Sequence, residues 1–155
     1  MYDREMNLSE NFKLKEFTDS ATAAIKKIEN HANLSEKNLY NLKALCQNVL
    51  QPLRDHFKEP VYVNSGFRCA ALNKAVKGAK TSQHMYGEAA DIEARVLKIQ
   101  NPQKTTEWFE WIRDNLVYDQ LILEIRIAGK YIRKWIHVSY KSTGPNRQQV
   151  LTLYK

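Results

Sequence analysis

Two β-rich runs near the end of the chain constrain the fold more than any other feature. They read DQLILEIRI and KYIRKWIHVSY, and only Ala128-Gly129 separates them, which predicts a β-hairpin. Shorter strands are predicted at VYVN (61–64) and ADIEA (90–94), and VLTLY is predicted to be a final edge strand. Helical patterns come mostly earlier in the chain. This order favours an α+β fold in which a small antiparallel sheet is flanked by N-terminal helices.

The strongest helical pattern lies between Leu39 and Phe57, where apolar residues recur every three or four positions. This spacing predicts a long amphipathic helix that begins at Ser35 and packs one face on the core. Pro52 lies inside the pattern and is expected to kink the helix or to separate its last turn. Cys46 lies on the apolar stripe, which predicts a buried and unreactive thiol.

Two further helices are predicted from apolar spacing. The first lies within residues 10–30 and is expected to begin after Thr18 or Asp19, since either side chain can cap a helix. The second is expected to begin at Thr105 or Thr106.

Composition limits the class of protein. The chain has 155 residues, 43% of them hydrophobic, and contains no linker-like stretch, which predicts a single domain over residues 1–155. The formal charge of +7 suggests an anionic partner: nucleic acid, a membrane surface or an acidic polymer such as bacterial cell wall. Basic residues are scattered among acidic ones and no nucleic-acid motif occurs, so no nucleic-acid partner is expected. No apolar run approaches the roughly 18 residues of a membrane span, so no membrane insertion is expected.

The cellular context is also an expectation at this stage. The first residues, MYDREMNLSENFKLKEF, contain no apolar stretch of the kind found in signal peptides, which predicts synthesis in the cytoplasm without a signal peptide. Cys46 and Cys69 match no disulfide-rich or metal-binding spacing, so we expect reduced thiols. We also expect a monomer.

Three residues form a candidate metal site. His84 and Asp91 lie in SQHMYGEAADIE, where Gly87 allows a tight turn into a strand, and His137 lies in the strand KWIHVSY. Two imidazoles and one carboxylate are a complete protein ligand set for a catalytic zinc ion, with the fourth position left for water. Each residue also has an ordinary interpretation, since a turn histidine, a turn aspartate and a buried sheet histidine are all common.

The order of several motifs strengthens the metal interpretation. SGFR is followed by Asn73, KGAKTSQHMYGEAADI, DQLILE and WIHVS. This series resembles the zinc D-alanyl-D-alanine carboxypeptidase family in its short phage and prophage branch. Vancomycin-resistance dipeptidases, phage L-alanyl-D-glutamate endopeptidases and the hedgehog signalling domain have the same metal architecture. NFKLKEFTDSATA and LKALCQNVLQPLRDHFKEPVYVNSGFR also resemble that branch, so the likeness covers most of the chain.

The resemblance implies roles for particular residues. It makes His84, Asp91 and His137 the ligands of one zinc ion. Arg68 matches an arginine that contacts substrate and the developing charge on the scissile carbonyl oxygen. Ser82 matches a substrate-binding position two residues before the first ligand.

One position departs from the family pattern. Related branches commonly place an acidic general base three residues before the last histidine ligand, and here that residue is Lys134. The hairpin offers a replacement. If Ala128-Gly129 is a two-residue turn, Glu124 lies opposite Arg133 and shares a face with His137. The family branch also has a glutamate at this position, so Glu124 is predicted to be the base. A longer turn could shift the register by one residue and would then break this argument. The alternative role for Glu124 is a surface carboxylate that forms an ion pair with Arg126, Arg133 or Lys134.

The predicted function is zinc-dependent hydrolysis of peptidoglycan stem peptides, of the D-Ala-D-Ala carboxypeptidase or L-Ala-D-Glu endopeptidase type. A phage-type lysis enzyme would reach the cell wall after release from the cytoplasm. The alternative is a non-catalytic zinc domain that binds the cell wall, for which the Lys134 departure is the best support.

Overall fold

The computed structural model describes residues 1–155 and shows an α+β fold. A π-helical turn, Cys46–Leu50, joins the third helix to the fourth, and short 3-10 turns lie at His31–Asn33 and Gln83–Tyr86. The helices are α1 (Lys15–Thr18), α2 (Ala21–Lys26), α3 (Glu36–Leu45), α4 (Gln51–Phe57), α5 (Ala70–Ala75) and α6 (Pro102–Asn115). The strands are β1 (Asn7–Ser9), β2 (Phe12–Lys13), β3 (Tyr62–Ser65), β4 (Ala89–Glu93), β5 (Arg95–Val96), β6 (Ile99–Gln100), β7 (Gln120–Ala128), β8 (Tyr131–Ser139) and β9 (Gln149–Tyr154). None of the helices combines the length and apolar character needed to cross a lipid bilayer.

The main sheet has five strands in the order β3-β4-β8-β7-β9. The first three pairings are antiparallel, but β9 runs parallel to β7, so the prediction of a purely antiparallel sheet is wrong. The direction of β9 follows from its first contacts. The Arg147 guanidinium binds the Asp119 carboxylate, and Gln149 N donates to Asp119 O, so β9 begins beside the start of β7. β9 is an edge strand, as predicted.

The predicted hairpin between β7 and β8 is confirmed, but its turn lies one residue later than expected. Ala128 pairs with Tyr131, so the two turn residues are Gly129 and Lys130. Gly129 has φ +62°, in the left-handed region that glycine adopts without a steric penalty.

The later turn changes the cross-strand partners without exchanging the two faces of the sheet. Glu124 lies opposite Trp135 instead of Arg133, and His137 lies opposite Ile122. Directly paired residues point to the same side of a sheet, as do alternate residues of one strand. Glu124 and His137 therefore share a face, as predicted.

The long helix begins after Ser35 as predicted, and Ser35 forms a capping box with Asn38. The helix reaches Phe57, but the π-helical turn interrupts it immediately before α4, in whose first turn Pro52 lies. Proline is tolerated there because it lacks an N–H that would need a partner in a regular helix. Cys46 is fully buried, and burial raises the pKa of its thiol, which fits the prediction of an unreactive side chain.

The other helix boundaries differ from the prediction. Phe12 lies in β2, and α2 begins after Ser20, whose hydroxyl accepts from Ala23 N, rather than after Thr18 or Asp19. The last helix also begins earlier than predicted. Its cap is the Asn101 side chain, which accepts from Lys104 N, and Thr105 lies within the helix.

One face of the main sheet packs into the hydrophobic core, a cluster of 29 buried residues to which α3, α4 and α6 contribute. The core side of β8 is formed by Ile136 and Val138, and that of β7 by Leu121, Leu123 and Ile125. The intervening residues, which include His137 and Glu124, point to the opposite face. That face carries the candidate site.

Candidate metal centre

The structure brings His84, Asp91 and His137 together. One potential ligand atom from each residue lies within 4.8 Å of the others. Asp91 on β4 is the direct cross-strand partner of His137 on β8, so the pleat of the sheet places both side chains on one face. His84 approaches from the 3-10 turn Gln83–Tyr86, which lies between α5 and β4.

The turn fixes the orientation of the buried His84 ring. His84 Nδ1 lies 2.7 Å from the carbonyl oxygen of Gly66, which places the proton on Nδ1 and leaves Nε2 free to bind a metal. Ser82 caps this turn, because its hydroxyl accepts from His84 N at 3.3 Å. Gly87 closes the turn at φ +74°, where a Cβ would lie 2.5 Å from Asn38 O. The predicted tight turn at Gly87 is confirmed.

The distances from the Asp91 carboxylate to the two imidazoles match those around a tetrahedral ion. Zinc bonds of about 2.0–2.1 Å to nitrogen and oxygen place neighbouring ligand atoms about 3.3 Å apart. Asp91 Oδ1 lies 3.3 Å from His84 Nε2 and 3.1 Å from His137 Nδ1. The three side chains therefore supply a preformed set of donors with two nitrogens and one oxygen.

The electrostatics favour the metal-binding form of Asp91. Burial alone would raise the pKa of this carboxyl, but the charges and hydrogen bonds of His84 and His137 outweigh burial and hold the pKa well below its usual range. The carboxylate is therefore ionised over the working pH range of a protein, and ionised carboxylates are the form that binds metals.

Arg68 lies beside this cluster and is mostly buried. Its guanidinium is 3.7 Å from Asp91 Oδ2, while Nε donates to Ser65 Oγ and Nη1 donates to Asn73 Oδ1, both at 3.2 Å. Burial lowers the pKa of Arg68, whereas the charges of Asp91 and Glu124 act to raise it, so the guanidinium lies within the field of both carboxylates. Arg68 is therefore held in a partly buried position beside Asp91.

The loop that carries Arg68 is held by Asn30, a residue that the sequence analysis missed. Asn30 is 3% exposed, and its Nδ2 donates to the carbonyl oxygens of Thr18 and Phe67 while its Oδ1 accepts from Cys69 N. Arg68 lies between the last two partners. No local pattern marks Asn30, because two of its partners are 37 and 39 residues away in the chain.

A cleft of about 630 Å³ opens over the site, and its lining includes Ser82, Glu124 and His137. The Glu124 side chain is 12% exposed and forms an ion pair with Lys155, with 3.1 Å between Oε1 and Nζ. The alternative partners predicted for Glu124 do not pair with it. Three of the predicted site residues, Ser82, Glu124 and His137, therefore line the same cavity.

Lys134, where related branches have an acid, lies on the other face of β8. Its Nζ donates to Thr106 Oγ1 on α6 at 3.0 Å. In a regular strand, residues three apart point to opposite faces. Lys134 therefore does not occupy the space beside His137 and does not line the cleft.

Asp119 is a second residue whose role was missed, although it begins the DQLILE motif. It is fully buried and accepts from Gln83 Nε2 at 3.1 Å and from Arg147 Nη2 at 2.8 Å. Gln83 directly precedes His84, so Asp119 connects the turn that carries His84 to the start of β7 and β9. Burial acts to raise the pKa of Asp119, but the hydrogen bonds from Arg147 outweigh it and lower the pKa.

The remaining histidines and cysteines lie outside the cluster. His31 contacts Thr18 Oγ1 and Tyr2 O, and His56 stacks on Trp111. Cys46 and Cys69 are both buried and form no disulfide with each other.

Fold and site together define a class. An α+β domain that places two imidazoles and a carboxylate together, with a buried arginine and an open cleft beside them, has the groups that hydrolysis assisted by a single metal ion requires. Comparison with known proteins agrees: residues 10–122 match the peptidase M15 family, and this chain belongs to that family. The matched range contains Arg68, His84 and Asp91, and ends at the residue that faces His137 across the hairpin.

A curated relative supports the same assignment over a shorter stretch. The zinc D-Ala-D-Ala carboxypeptidase of Streptomyces albus G is 53% identical over 36 residues. That stretch represents 23% of this chain and 14% of the carboxypeptidase.

Proposed function

We propose that this chain is a zinc-dependent peptidase that hydrolyses stem peptides of peptidoglycan. The observation that carries the proposal is that the metal cluster, with Arg68 beside Asp91, adjoins a cleft lined by His137 and Glu124. Membership of a peptidase family and the similarity to a zinc carboxypeptidase support the reaction and the metal. All these groups come from one chain, so we also propose a single catalytic domain that acts as a monomer.

Each of these residues has a distinct role in the proposed reaction. His84, Asp91 and His137 would hold a zinc ion, which supplies Lewis acidity to a scissile carbonyl and to an attacking water. Glu124 takes the proton from that water and later delivers it to the leaving nitrogen. Arg68 donates hydrogen bonds to the carbonyl oxygen as negative charge develops there.

Ser82 is proposed to contribute to substrate binding. It lines the cleft and caps the turn of His84 by accepting a hydrogen bond, so its hydroxyl proton remains available for a substrate acceptor.

The buried Arg68 is held on two sides by Ser65 and Asn73, which is the rigid support that an oxyanion donor needs.

The name of the relative favours an activity of the D-Ala-D-Ala carboxypeptidase type. The cleft is open, so it could also hold an internal peptide bond. We propose that the substrate lies in the bacterial wall and that a phage-type release brings the protein there. The formal charge of +7 supports attraction to an anionic wall. The alternative is a non-catalytic zinc domain that binds the cell wall, for which the lack of an acid at position 134 is the best support; retention of zinc without turnover of any muropeptide would favour it.

Substitution of Glu124 tests the proposal. Glu124→Gln should retain stoichiometric zinc, because Glu124 is outside the ligand cluster, and should lose hydrolysis by about 10²–10⁴-fold, the usual contribution of a general base. Glu110→Gln on the exposed side of α6 is the matched control and should retain wild-type activity. His84→Ala should lose the metal itself.

The assay combines metal analysis with mass spectrometry of products from defined muropeptides. One muropeptide ends in D-Ala-D-Ala and another presents only an internal L-Ala-D-Glu bond, so the products separate the two types of activity. A Glu124→Gln protein with full activity would contradict the assignment of the base. A zinc-loaded wild type that cleaves neither muropeptide nor intact sacculi would contradict the proposed function.

A further inference from the structure

Lys155 forms the ion pair with Glu124 in the cleft. Its Nζ lies 3.1 Å from Glu124 Oε1, and no other lysine or arginine lies within ion-pair distance of Glu124. Lys155 is 45% exposed while Glu124 is 12% exposed, so the cation lies at the cleft wall and the carboxylate lies deeper. Both side chains line the same cavity.

The backbone fixes the origin of the Lys155 side chain. Lys155 N donates to Ile125 O at 2.8 Å, which extends the parallel β7–β9 ladder by one residue. Leu153 lies beside Glu124 in that ladder, and alternate residues of a strand point to one side. Leu153 and Lys155 therefore both face the cleft, and both line it.

We propose that Lys155 is a positioning residue for Glu124: its ammonium group holds the carboxylate at the point in the cleft from which Glu124 accepts a proton. This inference rests on the proposed function, since it gives β9 a part in the same reaction. A glutamate side chain has several rotatable bonds, and a general base must lie within hydrogen-bond reach of the water that it deprotonates. A single fixed cation on the neighbouring strand removes much of this freedom.

The competing role for Lys155 is direct binding of a substrate carboxylate. The two roles differ in kinetics. A residue that only positions the base changes kcat and leaves KM unchanged, whereas a residue that binds substrate equally in the ground and transition states changes KM.

The test compares Lys155→Met with Lys155→Arg, and uses Lys130→Met in the exposed hairpin turn as a control that also removes one positive charge. Lys155→Met should lower kcat about tenfold, with KM and zinc content unchanged, because misplacement of a catalytic group has effects of at least this size. Lys155→Arg should restore most of the activity, and Lys130→Met should behave as wild type. Exposed ion pairs contribute only about 0–1 kcal/mol to stability, so the variants should fold.

A double variant tests whether Lys155 acts through Glu124. Added to Glu124→Gln, Lys155→Met should cause no further loss of residual activity. Unchanged kcat in Lys155→Met, a change in KM alone, or an independent loss in the double variant would each overturn the inference. An inactive zinc-loaded wild type would overturn the proposed function and this inference with it. An active wild type together with a Lys155→Met variant of unchanged kcat would overturn this inference alone.

Discussion

Asn30 offers the sharpest test of how the fold holds Arg68, the arginine proposed to act in catalysis. Its side chain makes three hydrogen bonds to backbone groups: to the carbonyl oxygens of Thr18 and Phe67 at 3.0 Å each, and from Cys69 N at 2.8 Å. Asn30→Ala removes all three hydrogen bonds at once and leaves the three backbone groups without this partner. Because the side chain is buried, water cannot readily replace it.

The expected magnitude follows from the number of groups left unpaired. A buried backbone group without a partner costs about 1–3 kcal/mol, and three such groups with partial relaxation predict a loss of roughly 3–5 kcal/mol in the free energy of unfolding. That is a large part of the roughly 5–15 kcal/mol available to a domain. Asn33→Ala is the matched control. The exposed Asn33 side chain donates only to Glu29 O, so its loss should change stability by about 0.5 kcal/mol or less.

Urea denaturation followed by circular dichroism measures both variants. Asn30→Asp adds a second comparison, since a carboxylate keeps the acceptor for Cys69 N but places an oxygen against the carbonyl oxygens of Thr18 and Phe67. Asn30→Asp should therefore be at least as unstable as Asn30→Ala. If Asn30→Ala loses no more stability than Asn33→Ala, the view that Asn30 holds the loop of Arg68 is refuted.

Two further predictions concern the supports of the site. Gly78→Ala would place a Cβ in steric conflict with Asn73 Oδ1 and 2.9 Å from Arg68 Nη1. Displacement of the guanidinium should lower kcat/KM for muropeptide hydrolysis about tenfold or more, and retained activity would argue against this support of Arg68. Arg147 lowers the pKa of Asp119 from its ordinary 3.8, so this pair stabilises the fold above about pH 4 and its contribution is lost as the pH falls through the lowered pKa. Asp119→Asn should lower the free energy of unfolding at neutral pH and should make that free energy fall less steeply as the pH is lowered, as measured by denaturation curves at several pH values. An unchanged dependence of the free energy of unfolding on pH would contradict the role of this pair.

The metal cluster could be proposed from the sequence because the order of motifs resembled a zinc carboxypeptidase family; each of the three residues taken alone also had an ordinary structural interpretation. His84 and Asp91 are joined by a short turn into a strand, and His137 stands in a strand whose alternation is clear. Asp91 and His137 are in fact direct cross-strand partners. Metal ligands must also be particular residue types, which makes them visible in a single sequence.

The supports of the cluster could not be predicted in the same way. Asn30 and Asp119 act through backbone groups and side chains that are distant in the chain, and neither is a residue type restricted to such a role. The parallel direction of β9 likewise depends on the contacts of Arg147 and Gln149 with Asp119. These contacts are consequences of the folded arrangement, with no periodic pattern to indicate them.

Glu124 shows why an inexact register can still place a side chain on the correct face. The hairpin turn lies one residue later than predicted, so each residue of β7 pairs with a residue two positions further along β8, and a shift by two preserves the alternation of faces. A shift by one would have turned Glu124 into the core. The same alternation could not reveal Lys155, because the partners considered for Glu124 were neighbours within the hairpin. The actual partner comes from β9, on the other side of β7, so the cation that holds the proposed base could be found only after the strand order was known.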